Sequence, residues 1–137
     1  MSYKVAYQKV WQQESGMAGK RVLLVDDEEL VREMVAYFLS EGDFEIVTAE
    51  SAKYALDIID KGNFFDIVVS DMNMPIMTGL EFAQEIKNRD MNLPFILLSG
   101  TPVDLSEDKR QELGIIACLL KDSNLDSQIV SALNEYI

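Results

Sequence analysis

Histidine is absent from this sequence. That removes the usual general base at neutral pH, the commonest zinc ligand and any phosphohistidine on this chain. Cysteine occurs once, at Cys118, so no internal disulfide can form. Positive charge is scarce: 12 Lys and Arg stand against 24 Asp and Glu, a net charge of −12. A field of that sign repels phosphate backbones and anionic lipid, which argues against direct binding of nucleic acid or membrane. No apolar run approaches the ~20 residues that a membrane helix requires. The N-terminus carries Lys4 and Lys9 with no apolar stretch behind them, unlike a signal peptide. The expected compartment is the cytoplasm.

What is present fits one globular domain. The chain has 137 residues, 48% of them hydrophobic and 26% charged. From Lys20 onward, short apolar runs alternate with amphipathic stretches. The runs are VLLV (22–25), FEIV (44–47), DIVV (66–69), PFILL (94–98) and IIACLL (115–120). All but the second are nearly continuous, as in strands buried on both faces of a parallel sheet. The second holds Glu45 and reads as an edge strand.

Helical stripes lie between the runs. Leu30, Met34 and Phe38, with Val31, Val35 and Leu39, make the first; Ala52, Ala55, Leu56 and Ile59 the second; Phe82, Ala83 and Ile86 the third. Leu125, Ile129, Ala132, Leu133 and Tyr136 make the last, whereas 104–113 is polar and weakly patterned. Gly42, Gly62 and Gly114 follow helix ends, where a left-handed cap is expected. Fivefold β-α alternation predicts a three-layer, doubly wound α/β fold with right-handed crossovers, and 2-1-3-4-5 is the common strand order for that count. Ligands of such sheets collect beyond the carboxyl ends of the strands, where the order reverses.

Four of those ends carry, in turn, Asp26-Asp27, Asp71, Ser99 and Lys121. Strand one lies beside strand three in the expected order, so three carboxylates crowd one crevice. At about 5 Å and an effective dielectric of ~20, each like-charged pair costs about 3 kcal/mol. One Asp at a strand end is ordinarily a solvated loop residue or a helix cap. Five polar residues at four ends call for another explanation. A divalent cation supplies one, and an all-oxygen ligand set points to Mg2+.

The segments VLLVDDEE (22–29), DMNMPIMTG (71–79), FILLSGT (95–101) and LLKD (119–122) resemble, in order and spacing, the motifs of response-regulator receiver domains. The resemblance covers residues 20–137. It implies a flavodoxin-like receiver fold that accepts a phosphoryl group on Asp71, with Asp26 and Asp27 holding Mg2+ and Asn73 adding its backbone carbonyl. It also implies that Ser99 hydrogen-bonds the phosphoryl group and that Lys121 pairs with one of its oxygens. Gly100 leaves room beside the backbone. Pro75 fixes the loop, and Thr78 and Gly79 open the next helix. The Asn73 amide either orients a hydrolytic water, with Thr101 nearby, or is a solvated side chain. Implied partners are a histidine kinase or histidine phosphotransfer protein and a downstream protein target.

Two positions depart from the family pattern. Cys118 stands where receivers usually carry an aromatic ring that couples to the Ser/Thr switch, and Asp122 stands where proline follows the lysine. A non-proline cis bond costs ~3 kcal/mol, which favours a trans Lys121–Asp122 bond. With no ring to turn, the readout is expected to pass from Ser99, Gly100 and Thr101 into the weakly patterned fourth helix.

Residues 1–19 lie outside the resemblance. Tyr3, Tyr7, Val10 and Trp11 share one helical face, and 14–19 reads as a linker. The segment is either a partner-binding or weakly dimerising helix, or a frayed tail. Other functions fare worse. A flavodoxin-like cofactor protein needs a Gly/Ser/Thr-rich loop where this chain has DDEE. A Mg2+-dependent phosphatase with an Asp nucleophile places a second Asp two residues on, whereas Asn73 follows Asp71 here. A receiver fragment of a larger regulator or hybrid kinase is the remaining alternative.

Overall fold

The structure, a computed structural model, describes residues 19–136. The apolar stripe at 3–11 therefore lies outside the described residues. Five parallel strands form one sheet, β1 (Lys20–Val25), β2 (Phe44–Ala49), β3 (Ile67–Asp71), β4 (Phe95–Ser99) and β5 (Ile115–Leu120), in the order β2-β1-β3-β4-β5. Five helices alternate with them: α1 (Glu29–Ser40), α2 (Ala52–Asp60), α3 (Gly79–Asn88), α4 (Glu107–Leu113) and α5 (Leu125–Tyr136). The doubly wound fold is as expected from the alternation, and the strand order is the common one for five strands.

Period-two alternation along the strands divides the core between the two sheet faces. Val22, Leu24, Ile67, Val69, Ile96 and Leu98 face α1 and α5, meeting Val35, Leu39, Ile129 and Leu133. Leu23, Val25, Val68 and Leu97 belong to the other face, with Ala55, Leu56 and Ile59 of α2 and Phe82 and Ile86 of α3. Phe82 and Phe95 pack edge-on at 5.7 Å, which anchors α3 to β4. Arg89 ties α3 to α2 through a two-pronged contact with Asp60 at 2.8 and 3.1 Å.

Four expectations need correction. In α1 the buried residues are Val35, Ala36 and Leu39, while Leu30 is 79% exposed and Met34 46%. The apolar arc of this helix is wider than the sheet can cover, so one side of it faces solvent. In α5, Tyr136 likewise lies exposed beyond the buried Leu125, Ile129, Ala132 and Leu133. The continuous run 115–120 is not buried on both faces: β5 is a sheet edge, and of its residues only Ile115 is buried. Gly62 (φ 92°) and Gly114 (φ 72°) are left-handed as expected, but Gly42 is not among the positive-φ glycines. Its requirement is steric, since a Cβ there would meet the Phe44 ring at 2.8 Å.

The loops after β3 and β4 set up the site. Thr78 caps α3 in a reciprocal capping box with Glu81. Gly79 lets α3 begin against the end of β3, for a Cβ at 79 would lie 2.5 Å from the Asp71 carbonyl oxygen. Helix α4 has seven residues, and only Leu113 is buried. Besides its Ser106 cap and Leu113, it is tied to β5 by Arg110 Nη2, which donates to the Ile116 carbonyl at 3.3 Å; a single buried side chain matches its weak sequence pattern.

Candidate functional site

The order of the sheet reverses between β1 and β3, and the acidic residues lie at that reversal. The strands end with Val25, Asp71, Ser99 and Leu120, which puts Asp26, Asp71, Ser99 and Lys121 on one rim. Asp26 is fully buried, Asp71 is 4% exposed and Ser99 2%, while Asp27 faces solvent. Carboxylate oxygens of Asp26, Asp27 and Asp71 lie within 4.8 Å of one another. At that separation and an effective dielectric of ~20, each ionised pair repels by about 3 kcal/mol.

Lys121 offsets this repulsion. Its Nζ lies 2.9 Å from Asp26 Oδ2, 3.0 Å from Asp71 Oδ1 and 3.7 Å from Glu28 Oε1. The lysine is fixed by its own N–H, which donates to the Ser99 carbonyl at 2.8 Å and so joins the ends of β4 and β5. The contact with Asp26 Oδ2 is close but poorly directed, leaving that buried oxygen with a charge partner and no proper hydrogen bond. Such an oxygen has a lone pair free for a cation. The hard carboxylate donors of this trio fit a hard divalent cation, Mg2+ among them.

Burial pushes the Asp71 carboxyl above its ordinary value, and the Asp26 charge adds to this. The Lys121 hydrogen bond and charge, and the backbone N–H of Asn73, act in the opposite sense without cancelling it. For Lys121, burial works to lower the pKa, but its close contacts with the charged Asp26 and Asp71 carboxylates prevail and hold it raised. The lysine therefore stays an ammonium beside two buried acids.

The structure brings Asp26, Asp27, Asp71 and Lys121 together as the sequence suggests. Ser99 lies next to them at the end of β4, its Oγ accepting the Thr101 N–H at 3.2 Å. Gly100 borders open space, with no atom within 4 Å of an added Cβ. Asn73 is exposed at the side chain, and its backbone N–H works to lower the Asp71 carboxyl. Glu28 and Arg32 were not singled out from sequence, yet both touch the group. Glu28 approaches Lys121, and Arg32 Nη1 donates to the Asp26 carbonyl at 2.7 Å. The repeated acids of DDEE could have pointed to Glu28; nothing in the pattern marks Arg32.

Two loops have unexpected details. Met77 N–H donates to the Pro75 carbonyl at 2.7 Å around Ile76 at φ 74°, a strained γ-turn for a β-branched residue. No cis peptide bond occurs among the described residues, so Lys121–Asp122 is trans, as the cost of a non-proline cis bond favours. The Asp122 N–H donates to Leu120 O at 2.9 Å, a bond that proline could not make.

The raised carboxyl of Asp71 yields a stability test. The folded chain holds this proton more tightly than the unfolded one, whose value is near 3.8. Ionised Asp71 therefore costs stability at neutral pH, and the cost fades as pH falls through the folded pKa toward 3.8. In metal-free buffer, Asp71→Asn should be more stable than wild type at neutral pH, with a gain that shrinks on acidification. Urea melts across the pH range measure this; a variant less stable than wild type at neutral pH would contradict the electrostatic account.

Residues 22–134 match the family described as the response regulator receiver domain. Among curated relatives, the sensor histidine kinase RcsC of Escherichia coli (strain K12) is 33% identical over 105 residues, 77% of this chain and 11% of the relative. The two-component response regulator ORR26 of Oryza sativa subsp. japonica is 40% identical over 82 residues, 59% of this chain and 14% of its own length. The chain thus spans only a small part of these relatives. Among solved structures, the chemotaxis response regulator CheY4 of Vibrio cholerae superposes with a TM-score of 0.75 at 27% identity, over 87% of this chain and 99% of that one. The response regulator protein TrrA of Thermotoga maritima, solved in complex with Mg(2+)-BeF, gives 0.75 at 32% identity, over 86% and 99%. With the family match running from the first core strand into the last helix, the chain belongs to the response regulator receiver domains of two-component signalling.

Proposed function

We propose that this domain is a phosphoryl-accepting switch, and that Asp71 takes the group from a phosphohistidine on a histidine kinase or histidine phosphotransfer protein. The observation that carries this reading is the single ammonium of Lys121, 2.9 Å from Asp26 and 3.0 Å from Asp71, inside a cluster of three carboxylates. In the transfer, an Asp71 oxygen forms a bond to phosphorus as the P–N bond to the donor imidazole breaks. The leaving nitrogen keeps the bonding pair and takes a proton from solvent. Asp26, Asp27 and Asp71, with the Asn73 backbone carbonyl, hold Mg2+, which supplies positive charge to the phosphoryl oxygens. Likeness to TrrA, solved with Mg(2+)-BeF, supports that ion. Lys121 pairs with a second phosphoryl oxygen. The product is an acyl phosphate, readily hydrolysed, so the signal is reversible and the domain is a switch rather than a turnover enzyme.

Ser99 and its loop carry the readout. The Ser99 Oγ that now accepts the Thr101 N–H turns to the phosphoryl group, Gly100 giving it room, and the loop leading to the thinly anchored α4 follows. Cys118 is half-buried against the core and has no ring to relay the motion through β5. A downstream protein is the recipient, and the setting proposed is the cytoplasm. RcsC carries the matched region as 11% of a longer chain, and the same chemistry serves a receiver inside a larger regulator or hybrid kinase.

Acetyl phosphate with Mg2+ should label the wild-type protein stably. Labelling should vanish in Asp71→Asn or with EDTA and fall strongly in Lys121→Ala. Undiminished labelling of Asp71→Asn would mean that the acceptor is another residue. Steady turnover without stable labelling would indicate a phosphatase. For the readout, beryllofluoride should shift backbone NMR signals of residues 99–113 more than those of 115–120; the reverse order would place the coupling in β5.

A further inference from the structure

Arg32 is the exception among the described arginines. Arg21, Arg89 and Arg110 each have a carboxylate within ion-pair distance: Glu45 at 3.5 Å, Asp60 at 2.8 Å and Glu107 at 3.9 Å. In a chain with twice as many acids as bases, such partners are easily found. Arg32, half-buried on the first turns of α1, has none among the described residues. Its Nη1 instead donates to a main-chain oxygen, that of Asp26, at 2.7 Å.

That oxygen has a particular place. Asp26 is held at each of its polar groups: its N–H donates to Ala49 O, its Oδ1 accepts the Glu28 N–H at 2.9 Å, and its Oδ2 meets Lys121. The carbonyl gripped by Arg32 belongs to the peptide that joins Asp26 to Asp27. Fixing its oxygen fixes the peptide plane, and with it the position of the Asp27 Cα from which that side chain leaves the backbone. Asp27 is exposed and makes no hydrogen bond or ion pair of its own among the described residues, yet its carboxylate lies within 4.8 Å of those of Asp26 and Asp71. The backbone that carries it is held on its N-terminal side by the Arg32 contact and by the Glu28 N–H to Asp26 Oδ1.

We propose that Arg32 is a positioning residue for the cation site: it locks the Asp26–Asp27 peptide so that both carboxylates stay aimed at one ion. The proposal rests on the reading of the acidic cluster as a Mg2+ site. Charge and position act with opposite signs here, which makes the role separable. A guanidinium near the site repels a divalent cation, so removing it should tighten binding if its charge were all that mattered. Loss of positioning should weaken binding, and outer partners of metal ligands are typically worth tenfold or more in affinity.

The experiment is Mg2+ titration by calorimetry of wild type, Arg32→Met and Arg32→Lys, with thermal melts of each in EDTA. Arg32→Met should bind Mg2+ roughly tenfold more weakly, and Arg32→Lys, which keeps a donor and a charge, should recover most of the loss. A purely structural role would lower the EDTA melting temperature and leave the affinity of the folded protein unchanged. Should Arg32→Met fail to fold, Arg32→Lys and Arg32→Gln decide it, with Gln expected to bind more weakly than Lys. Wild-type binding with unchanged or tighter binding by the variants overturns the role of Arg32 alone. Absence of Mg2+ binding by wild type overturns the metal site itself, and this proposal with it.

Discussion

Two buried carboxylates share one end of this sheet because a single ammonium lies between them. Lys121 reaches Asp26 at 2.9 Å and Asp71 at 3.0 Å, and both acids are almost wholly out of water. Without it, each would face the other's charge in a medium that screens poorly. The ammonium does not cancel the problem entirely, since Asp71 still resists ionisation. A site left with this residual tension has an electrostatic reason to take up more positive charge. That is the physical link between the fold and the proposed chemistry.

The remainder of the architecture keeps this group in place. Parallel strands deliver their carboxyl ends to one rim, and the reversal between β1 and β3 sets Asp26 beside Asp71. The Ser99 carbonyl holds the Lys121 backbone, so the lysine is registered to β4 as well as to its own strand. Gly79 and the Thr78 capping box bring α3 against the back of Asp71. By contrast, α4 and the edge β5 are only lightly covered. Rigid surroundings at the acceptor and loose ones a few residues away suit a device that converts a local charge into a displaced surface.

Much of this was legible in the sequence, for definite reasons. Strands buried on both faces leave continuous apolar runs, which located β1, β3 and β4, and the helical stripes of α2 and α3 matched their buried faces. The polar residues at strand ends stood out because each follows an apolar run directly. Three kinds of feature were not legible. Breadth of an apolar arc does not say which side of it the sheet covers, hence the exposed Leu30 and Met34. A continuous run does not distinguish an edge from a centre when the edge is apolar, hence β5. Backbone-directed contacts leave no pattern in side-chain chemistry, so the Arg32 grip on Asp26 and the Asn73 N–H toward Asp71 emerged only in three dimensions.

The central claim is that Asp71, and neither of the acids beside it, accepts the phosphoryl group. Borohydride reduces an acyl phosphate to the alcohol, converting a phosphorylated aspartate to homoserine. Peptide mass mapping after treatment with a phosphodonor, Mg2+ and borohydride therefore reads the acceptor directly. Reduction at position 71 alone is the expected result. Reduction at Asp26 or Asp27, or at no aspartate in a protein that has taken up the label, would contradict the account.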